Sequence, residues 1–342
     1  MTARKSREVR LKSRPQGVPT NVNFEMATVE VPAPGPGEVM VRNVWMSVDP
    51  YMRARMIDRE SYIPPFQVGQ ALQGHAIGQV IASNAAELRV GDYVSSMNGW
   101  REAYVSRPQG LTKIDPGLAP LPSFLGVLGL TGLTAYVGLL KIAGLKQGEI
   151  VFVSAAAGAV GSIVCQIAKV KGATVIASAG SDDKCRWLKE VARADHAINY
   201  KTAGDLTAAL KIAAPRGIDV YFENVGGEHL EAALNLMKPF GRIAVCGLIS
   251  QYNSQTPAGP ANFPFVVMKR LRIEGFIVSD HLDMLPAFFD DMGAWINQGR
   301  IKWEETVVEG IEKAPEAFLG LFKGDNLGKM LVKIGPDAPA KG

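Results

Sequence analysis

The sequence predicts an α/β fold, a doubly wound parallel sheet joined to a second, irregular and mainly-β domain, and two contrasts along the chain carry that expectation. From Glu149 to Ile277, short apolar runs alternate with helical stretches, the order that βαβ units require. The first third is instead built from short β-type runs broken by proline and glycine. The texture changes near Leu125. A chain of 342 residues suits two domains of roughly 150 residues each.

The elements follow in order. Arg4, Lys5, Arg7, Arg10, Lys12 and Arg14 make a basic run, read as a solvated strand because Glu8 interrupts it and no amphipathic pattern accompanies it. The turn cluster Pro32, Pro34, Gly35, Pro36 and Gly37 precedes an alternating strand from Glu38 to Val44. More strands are expected between Gly69 and Val94. The most apolar stretch, Phe124 to Leu140, is broken by four glycines and is short for a membrane span; it reads as buried helix. Ile150 to Val153 is a continuous apolar run, as for a strand covered on both faces. Helix is expected over Val160 to Lys171, strand over Thr174 to Ser178, and helix over Asp182 to Ala192 with Ser181 as N-cap. His196 to Tyr200, Ile218 to Glu223, Arg242 to Cys246 and Arg272 to Val278 read as further strands. Val307 to Ile334 returns to mixed texture and is expected to rejoin the first domain.

Composition removes several function classes. The net charge of +4, from 37 basic and 33 acidic residues, gives no case for nucleic acid, although a small positive field helps to attract a phosphorylated cofactor. Cys165, Cys185 and Cys246 are widely spaced, so no disulfide framework is expected. The N-terminus has no apolar signal core, and a cytoplasmic, membrane-free chain is the expectation.

Chemistry first appears after the strand Ile150 to Val153. The segment Ser154 to Gly161 lacks the usual G-x-G-x-x-G but offers Ala155-x-x-Gly158-x-x-Gly161. Gly158 would let backbone approach a pyrophosphate, Gly161 would let the helix pack closely, and the helix N-terminus would present free N–H groups to the phosphates. A small-residue turn with no ligand is the plainer reading of the same residues. The next strand ends Ala177-Ser178-Ala179-Gly180-Ser181 without the acid that usually binds a ribose 2′-hydroxyl, and Lys184 follows one turn on. A cation without a competing carboxylate suits a 2′-phosphate, hence NADPH; the plainer reading of Lys184 is an exposed helix lysine beside Asp182 and Asp183.

Several segments together are more specific than any glycine motif: Ser47 to Arg53 (SVDPYMR), Gly132 to Tyr136 (GLTAY), the Ala155 to Gly161 turn, Glu223 to Gly227 (ENVGG), Cys246 to Asn253 (CGLISQYN) and Gly324 to Lys329 (GDNLGK). On these the chain, from about Arg7 to Ile334, resembles the zinc-free branch of the medium-chain dehydrogenase/reductase superfamily, the group of leukotriene B4 12-hydroxydehydrogenase/prostaglandin reductases, alkenal double-bond reductases and curcumin reductases. The resemblance implies a GroES-like catalytic domain split between residues 1–125 and 306–342, a Rossmann domain at 126–305, a cleft between them, and NADPH as cofactor. It implies that Lys184 and Tyr200 hold the adenosine phosphate end and that Gly158, Ala159, Val160 and Gly161 hold the pyrophosphate. Asn224, Cys246, Gly247, Leu248, Ile249, Ser250, Tyr252, Phe276, Ile277, Val278 and Asn326 would line the rest. Tyr51 looks like a substrate-pocket residue. For Tyr200 and Asn326, ordinary turn packing is the plainer reading.

The implied reaction is reduction of the α,β double bond of an enone or enal. A zinc alcohol dehydrogenase is disfavoured: its metal needs three protein ligands, all three cysteines fall in the expected nucleotide domain, and Gly74-His75 is followed by Ala76 where the zinc enzymes have Glu. A quinone reductase would use the same fold and cofactor and stays as the alternative. More distant is a non-catalytic NADPH-binding structural or RNA-binding protein, against which the mild charge and missing basic–aromatic patches count. Tyr252 is the expected catalytic donor to the developing enolate oxygen, or else a ligand of the nicotinamide ribose. Arg272 to Val278, taken as an apolar edge strand, argues for a homodimer paired through it.

Overall fold

The computed structural model describes residues 3–256 and 258–336. The chain divides into two compact units. One comprises 1–125, 305–326 and 330–342; the other comprises 126–304 with 327–329.

The first unit is mainly β. The basic N-terminal run forms β1 (Arg4–Leu11), paired antiparallel along its whole length with β2 (Phe24–Val31). The expected strand after the proline cluster is β3 (Val39–Ser47), and it is the spine of a second sheet. A short helix α1 (Met52–Arg55) follows, then β4 (Ala76–Ser83), β5 (Tyr93–Ser96), β6 (Ala103–Ser106) and β7 (Thr112–Ile114). The late segment returns: β14 (Glu305–Glu309) and β15 (Lys329–Lys333) extend the sheet in the order β14-β15-β3-β4-β5-β7, with Leu331 opposite Ser47. Helix α9 (Ala314–Leu321) brings Phe318 edge-on to Phe24 and Trp100, at 6.2 Å from each. Those three rings centre a core that also holds Met46, Met52 and Leu72.

The second unit is the doubly wound sheet. Its strands are β8 (Ile150–Val153), β9 (Thr174–Ala179), β10 (His196–Asn199), β11 (Ile218–Glu223), β12 (Met237–Val245) and β13 (Arg272–Gly275). They lie in the order β10-β9-β8-β11-β12-β13, all parallel. The reason is visible in single strands. Val151 and Val153 enter one apolar core and Ile150 and Phe152 the other, so the run is buried on both faces. Helices α2 (Leu130–Tyr136), α3 (Gly161–Val170), α4 (Asp182–Glu190) and α8 (Leu285–Asn297) cover the first face; α5 (Leu206–Ala213) and α6 (Glu228–Leu236) cover the second. Helix α7 (Phe265–Met268) leads into β13. Among the described residues, no helix is long and apolar enough to cross a membrane.

Three expectations change, the first being that the strand expected over Arg242 to Cys246 begins earlier, at Met237, and ends at Val245. The apolar stretch at Phe124 to Leu140 is not one helix but α2 followed by a π-helical turn over Val137–Ile142. The last strand ends at Gly275 rather than Val278, and it is not an apolar edge: Arg272 and Glu274 alternate with Ile273 and pair with each other at 3.6 Å. Beyond Gly275 the chain turns inward, where the Phe276 ring meets Phe222 edge-on at 6.4 Å.

His229 on α6 shows how completely the second face is closed. The ring is buried, stacks on Phe152, and its Nε2 lies 2.9 Å from Ser178 Oγ. Burial lowers its pKa from 6.5 to about 4. An unfolded chain therefore binds this proton near pH 6.5 and the folded chain only near pH 4. The stability is fully present above the unfolded value and is lost as the pH falls through that window. Wild type is expected to lose about 3 kcal/mol more than His229→Gln between pH 7 and pH 4, measured by urea unfolding at each pH. Equal losses would show that this ring does not titrate as described.

Candidate functional site

A parallel sheet covered on both faces leaves room for ligands only beyond its strand ends. The chain leaves β8 toward β9 and β10 and leaves β11 toward β12 and β13 in the opposite direction, so the topological switch point lies between β8 and β11. The loops that follow β8, β11 and β12 at that edge carry most of the residues singled out above.

The turn after β8 is tightly wound. Ala155 takes a positive φ of 45°, Gly158 N–H donates to Ala155 O at 3.0 Å, and Ala156 N–H donates to Ser178 O at 2.9 Å. Gly161 is obligatory: a β-carbon there would stand 2.5 Å from Ala155 O and 2.7 Å from Ala156 Cα. The close packing expected of Gly161 is therefore against the turn itself. Among the described residues, the backbone N–H groups of Ala159, Val160 and Gly161 make no hydrogen bond, as expected for the first turn of α3. Gly158 also forms a bridge to Gly328, whose N–H donates to Ala157 O at 2.8 Å. Asn326 stands two residues before that contact.

The loops after β11 and β12 are laced together. Cys246 and Gly247 N–H donate to Glu223 O, Ile249 N–H to Asn224 O, and Ser250 N–H to Val225 O, at 2.9 to 3.1 Å. The Tyr252 hydroxyl accepts from Leu248 N–H at 3.3 Å and lies over Gly247, 2.9 Å from where a β-carbon would be. The motif thus folds back so that Tyr252 reports on the strand end it follows. Asn224 is locked to the first turn: its N–H donates to Ser154 Oγ at 2.9 Å and its amide to Ser154 O at 2.8 Å.

The adenosine end lies beyond β9. Ser181 caps α4 by accepting from the backbone N–H of Lys184, as the sequence predicts. Tyr200 packs edge-on to His229 at 4.9 Å, and its hydroxyl would be 3.2 Å from a β-carbon at Gly180. Gly180, Ser181, Lys184 and Tyr200 are thus gathered at one end of the band. The two nearby carboxylates are engaged elsewhere, Asp182 with the Asn199 amide at 2.7 Å and Asp183 with Arg186 at 2.9 Å. Lys201 was not singled out by sequence, yet its side chain also reaches Gly180, with Cε 3.2 Å from the same β-carbon position.

Glu223, quoted in the sequence only as part of a motif, is the largest omission. It is wholly buried, and burial raises its pKa against the pull of hydrogen bonds from Tyr221, Gly226, Val225 and Ser154. The signal was available: a carboxylate that directly follows the apolar run Val220 to Phe222 must find donors inside the protein. In the first unit, Tyr51 is held just before α1. Burial, then the Asp49 charge, push its phenol up against the opposing Arg55, so it stands as a neutral donor. Among the described residues, no group of three or more His, Cys, Asp or Glu side chains could hold a metal ion.

Residues 7–114 match the family model described as the N-terminal domain of oxidoreductase, and residues 159–294 match the one described as zinc-binding dehydrogenase. The chain is similar to prostaglandin reductase 1 of Rattus norvegicus, 44% identical over 94% of this chain and 97% of that one. It is also similar to the NADP(+)-dependent 2-alkenal reductase of Nicotiana tabacum, 43% identical over 96% and 97%. The crystal structure of CurA from Vibrio vulnificus in complex with NADPH superposes with a TM-score of 0.91 at 41% identity, covering 97% of this chain and all of that one (100%). With relatives this similar along nearly its full length, the chain belongs to the zinc-free branch of the medium-chain dehydrogenase/reductase superfamily that includes the prostaglandin, curcumin and 2-alkenal reductases.

Proposed function

We propose that this protein is an NADPH-dependent reductase of the α,β carbon–carbon double bond of enones and enals. The observation that carries the reading is the continuous band of loops beyond the sheet, running from Tyr200 and Lys184 through the Gly158 turn to Asn224 and Tyr252. The relatives at 40–44% identity named for alkenal, prostaglandin and curcumin reduction support it.

The residues fit such a cofactor. The unbonded N–H groups of Ala159, Val160 and Gly161 at the start of α3 suit a pyrophosphate. Lys184 and Tyr200, with no disengaged carboxylate beside them, suit a 2′-phosphate. Asn224, the segment Cys246 to Tyr252, Phe276 to Val278 and Asn326 are assigned to the ribose and nicotinamide half, and Tyr51 to the substrate. When bound, NADPH supplies the hydride for the β-carbon of the substrate. The protein must then stabilise the negative charge that develops on the carbonyl oxygen, because such charge is costly away from water. Tyr252 is the donor we assign to that oxygen, either directly or by holding the ribose hydroxyl that makes the contact.

Two substitutions test these roles. Lys184→Ala is expected to weaken NADPH binding by about 1.5–3 kcal/mol, roughly ten- to more than hundredfold, and to leave NADH binding nearly unchanged; equal losses in titrations of the two cofactors would refute the role. Tyr252→Phe keeps the ring and removes the hydroxyl. Turnover of an enone is expected to fall by about 10²–10³ with NADPH affinity changed far less. Wild-type turnover would eliminate the donor role, and a defect confined to NADPH binding would assign Tyr252 to the ribose alone.

The same reading includes a cytoplasmic homodimer. Support comes from β13 at the end of the sheet order and from Phe263, Val267 and Met268 shortly before it, exposed by 56%, 79% and 64%. Light scattering at micromolar protein is expected to give twice the 36.7 kDa chain mass, and a monomer there would rule the dimer out.

A further inference from the structure

We infer that Glu223 is the positioning residue of the cofactor site: a single carboxylate oxygen beneath the switch point sets the turns after β8 and β11 to each other. Four donors converge on its Oε1. They are the Tyr221 hydroxyl at 2.7 Å, the Ser154 hydroxyl at 3.1 Å, and the backbone N–H groups of Val225 at 2.7 Å and Gly226 at 2.9 Å. Oε2 is buried and has no hydrogen-bond partner among the described residues. The bonding is therefore concentrated on one atom.

Three of the four donors belong to the turns that the cofactor reading needs; Tyr221 lies within β11 itself. Ser154 is the first residue of the turn leading to Gly158 and Gly161, and its Oγ also accepts the N–H of Asn224 at 2.9 Å. Val225 and Gly226 follow Asn224, in a turn that Gly226 and Gly227 bend through positive φ values of 78° and 53°. Those two backbone N–H groups point inward at Glu223, which fixes the two peptide planes that directly follow Asn224, on either side of Val225. Strands β8 and β11 are adjacent in the sheet, but only weak backbone pairing joins the turns beyond them: Ser154 N–H reaches Phe222 O at 3.3 Å. Two hydrogen bonds from Asn224 to Ser154 join them more closely, and the carboxylate adds a further link, from the Ser154 hydroxyl to the N–H groups of Val225 and Gly226. It touches neither cofactor nor substrate, being 0% exposed, so it acts through Ser154 and Asn224.

This inference rests on the assignment of NADPH to the site, and the two can fail separately. Binding of NADPH and of 2′-AMP would be titrated by fluorescence and calorimetry, without turnover, for wild type, Glu223→Ala, Glu223→Gln and Ser154→Ala. The fragment 2′-AMP occupies only the Lys184 and Tyr200 end. Glu223→Ala leaves buried donors unpaired, so its NADPH dissociation constant is expected to rise by about ten- to hundredfold, with that for 2′-AMP within about twofold. Glu223→Gln restores an acceptor oxygen where Oε1 was and should recover most of the NADPH affinity. Ser154→Ala, which removes one hydroxyl, should show the NADPH-specific loss in milder form and carries the test if Glu223→Ala does not fold. Equal loss of both ligands would mean a general role in folding and overturn the proposal. Unchanged NADPH binding, or a Gln variant as weak as Ala, would overturn it too. Failure of wild type to bind NADPH at all would instead sink the cofactor assignment.

Discussion

Water is excluded from both faces of the parallel sheet, and that constraint organises the second unit. Residues of β8 alternate between two apolar cores, so neither face offers a polar group to a ligand. Polar chemistry is driven to the strand ends. There the backbone must turn, its N–H groups lose their ladder partners, and small residues let loops approach one another. The candidate site accordingly lies in the loops beyond the strand ends and not on either apolar face.

Within that edge, two kinds of contact hold the loops. One is steric: Gly161 starts α3 against the backbone of Ala155 and Ala156 with no space for a side chain. The other is polar and buried. Glu223 satisfies two loop N–H groups and two hydroxyls, and the loops after β11 and β12 exchange main-chain hydrogen bonds from Cys246 to Ser250. An unpaired donor in such a place costs about 1–3 kcal/mol, so the network is held to one geometry. That rigidity suits a site that must direct a hydride to one carbon atom.

Charge is distributed with the same economy. Carboxylates near the end of β9 are held by Asn199 and Arg186, while Lys201 and Tyr200 stand around Gly180. Of the hydroxyl-bearing rings, Tyr51 and Tyr252 stand within segments that the sequence motifs mark, and Tyr200 stands against Gly180 and His229. Family membership gives the class of reaction, the NADPH-dependent reduction of enones and enals.

The sequence by itself determined two strands of the second unit closely: Ile150–Val153 and Ile218–Glu223 match the expected bounds residue for residue, the first because a doubly buried strand reads as a continuous apolar run and the second because its apolar Val220 to Phe222 centre is buried. It also marked the Ser181 cap and the turn chemistry at Gly161, both local properties of backbone and side chain. Bounds failed where local pattern and packing diverge. Arg272 to Val278 looks like one strand, but Phe276 leaves it to pack on Phe222. The stretch Phe124 to Leu140 looks like one buried helix, but it begins in a 3₁₀ turn and ends in a π turn. Only the tertiary structure decided the partners of Glu223. Tyr221, Val225 and Gly226 are near it in the chain, but Ser154 is 69 positions away, and no periodicity records which distant hydroxyl will complete a buried carboxylate's shell.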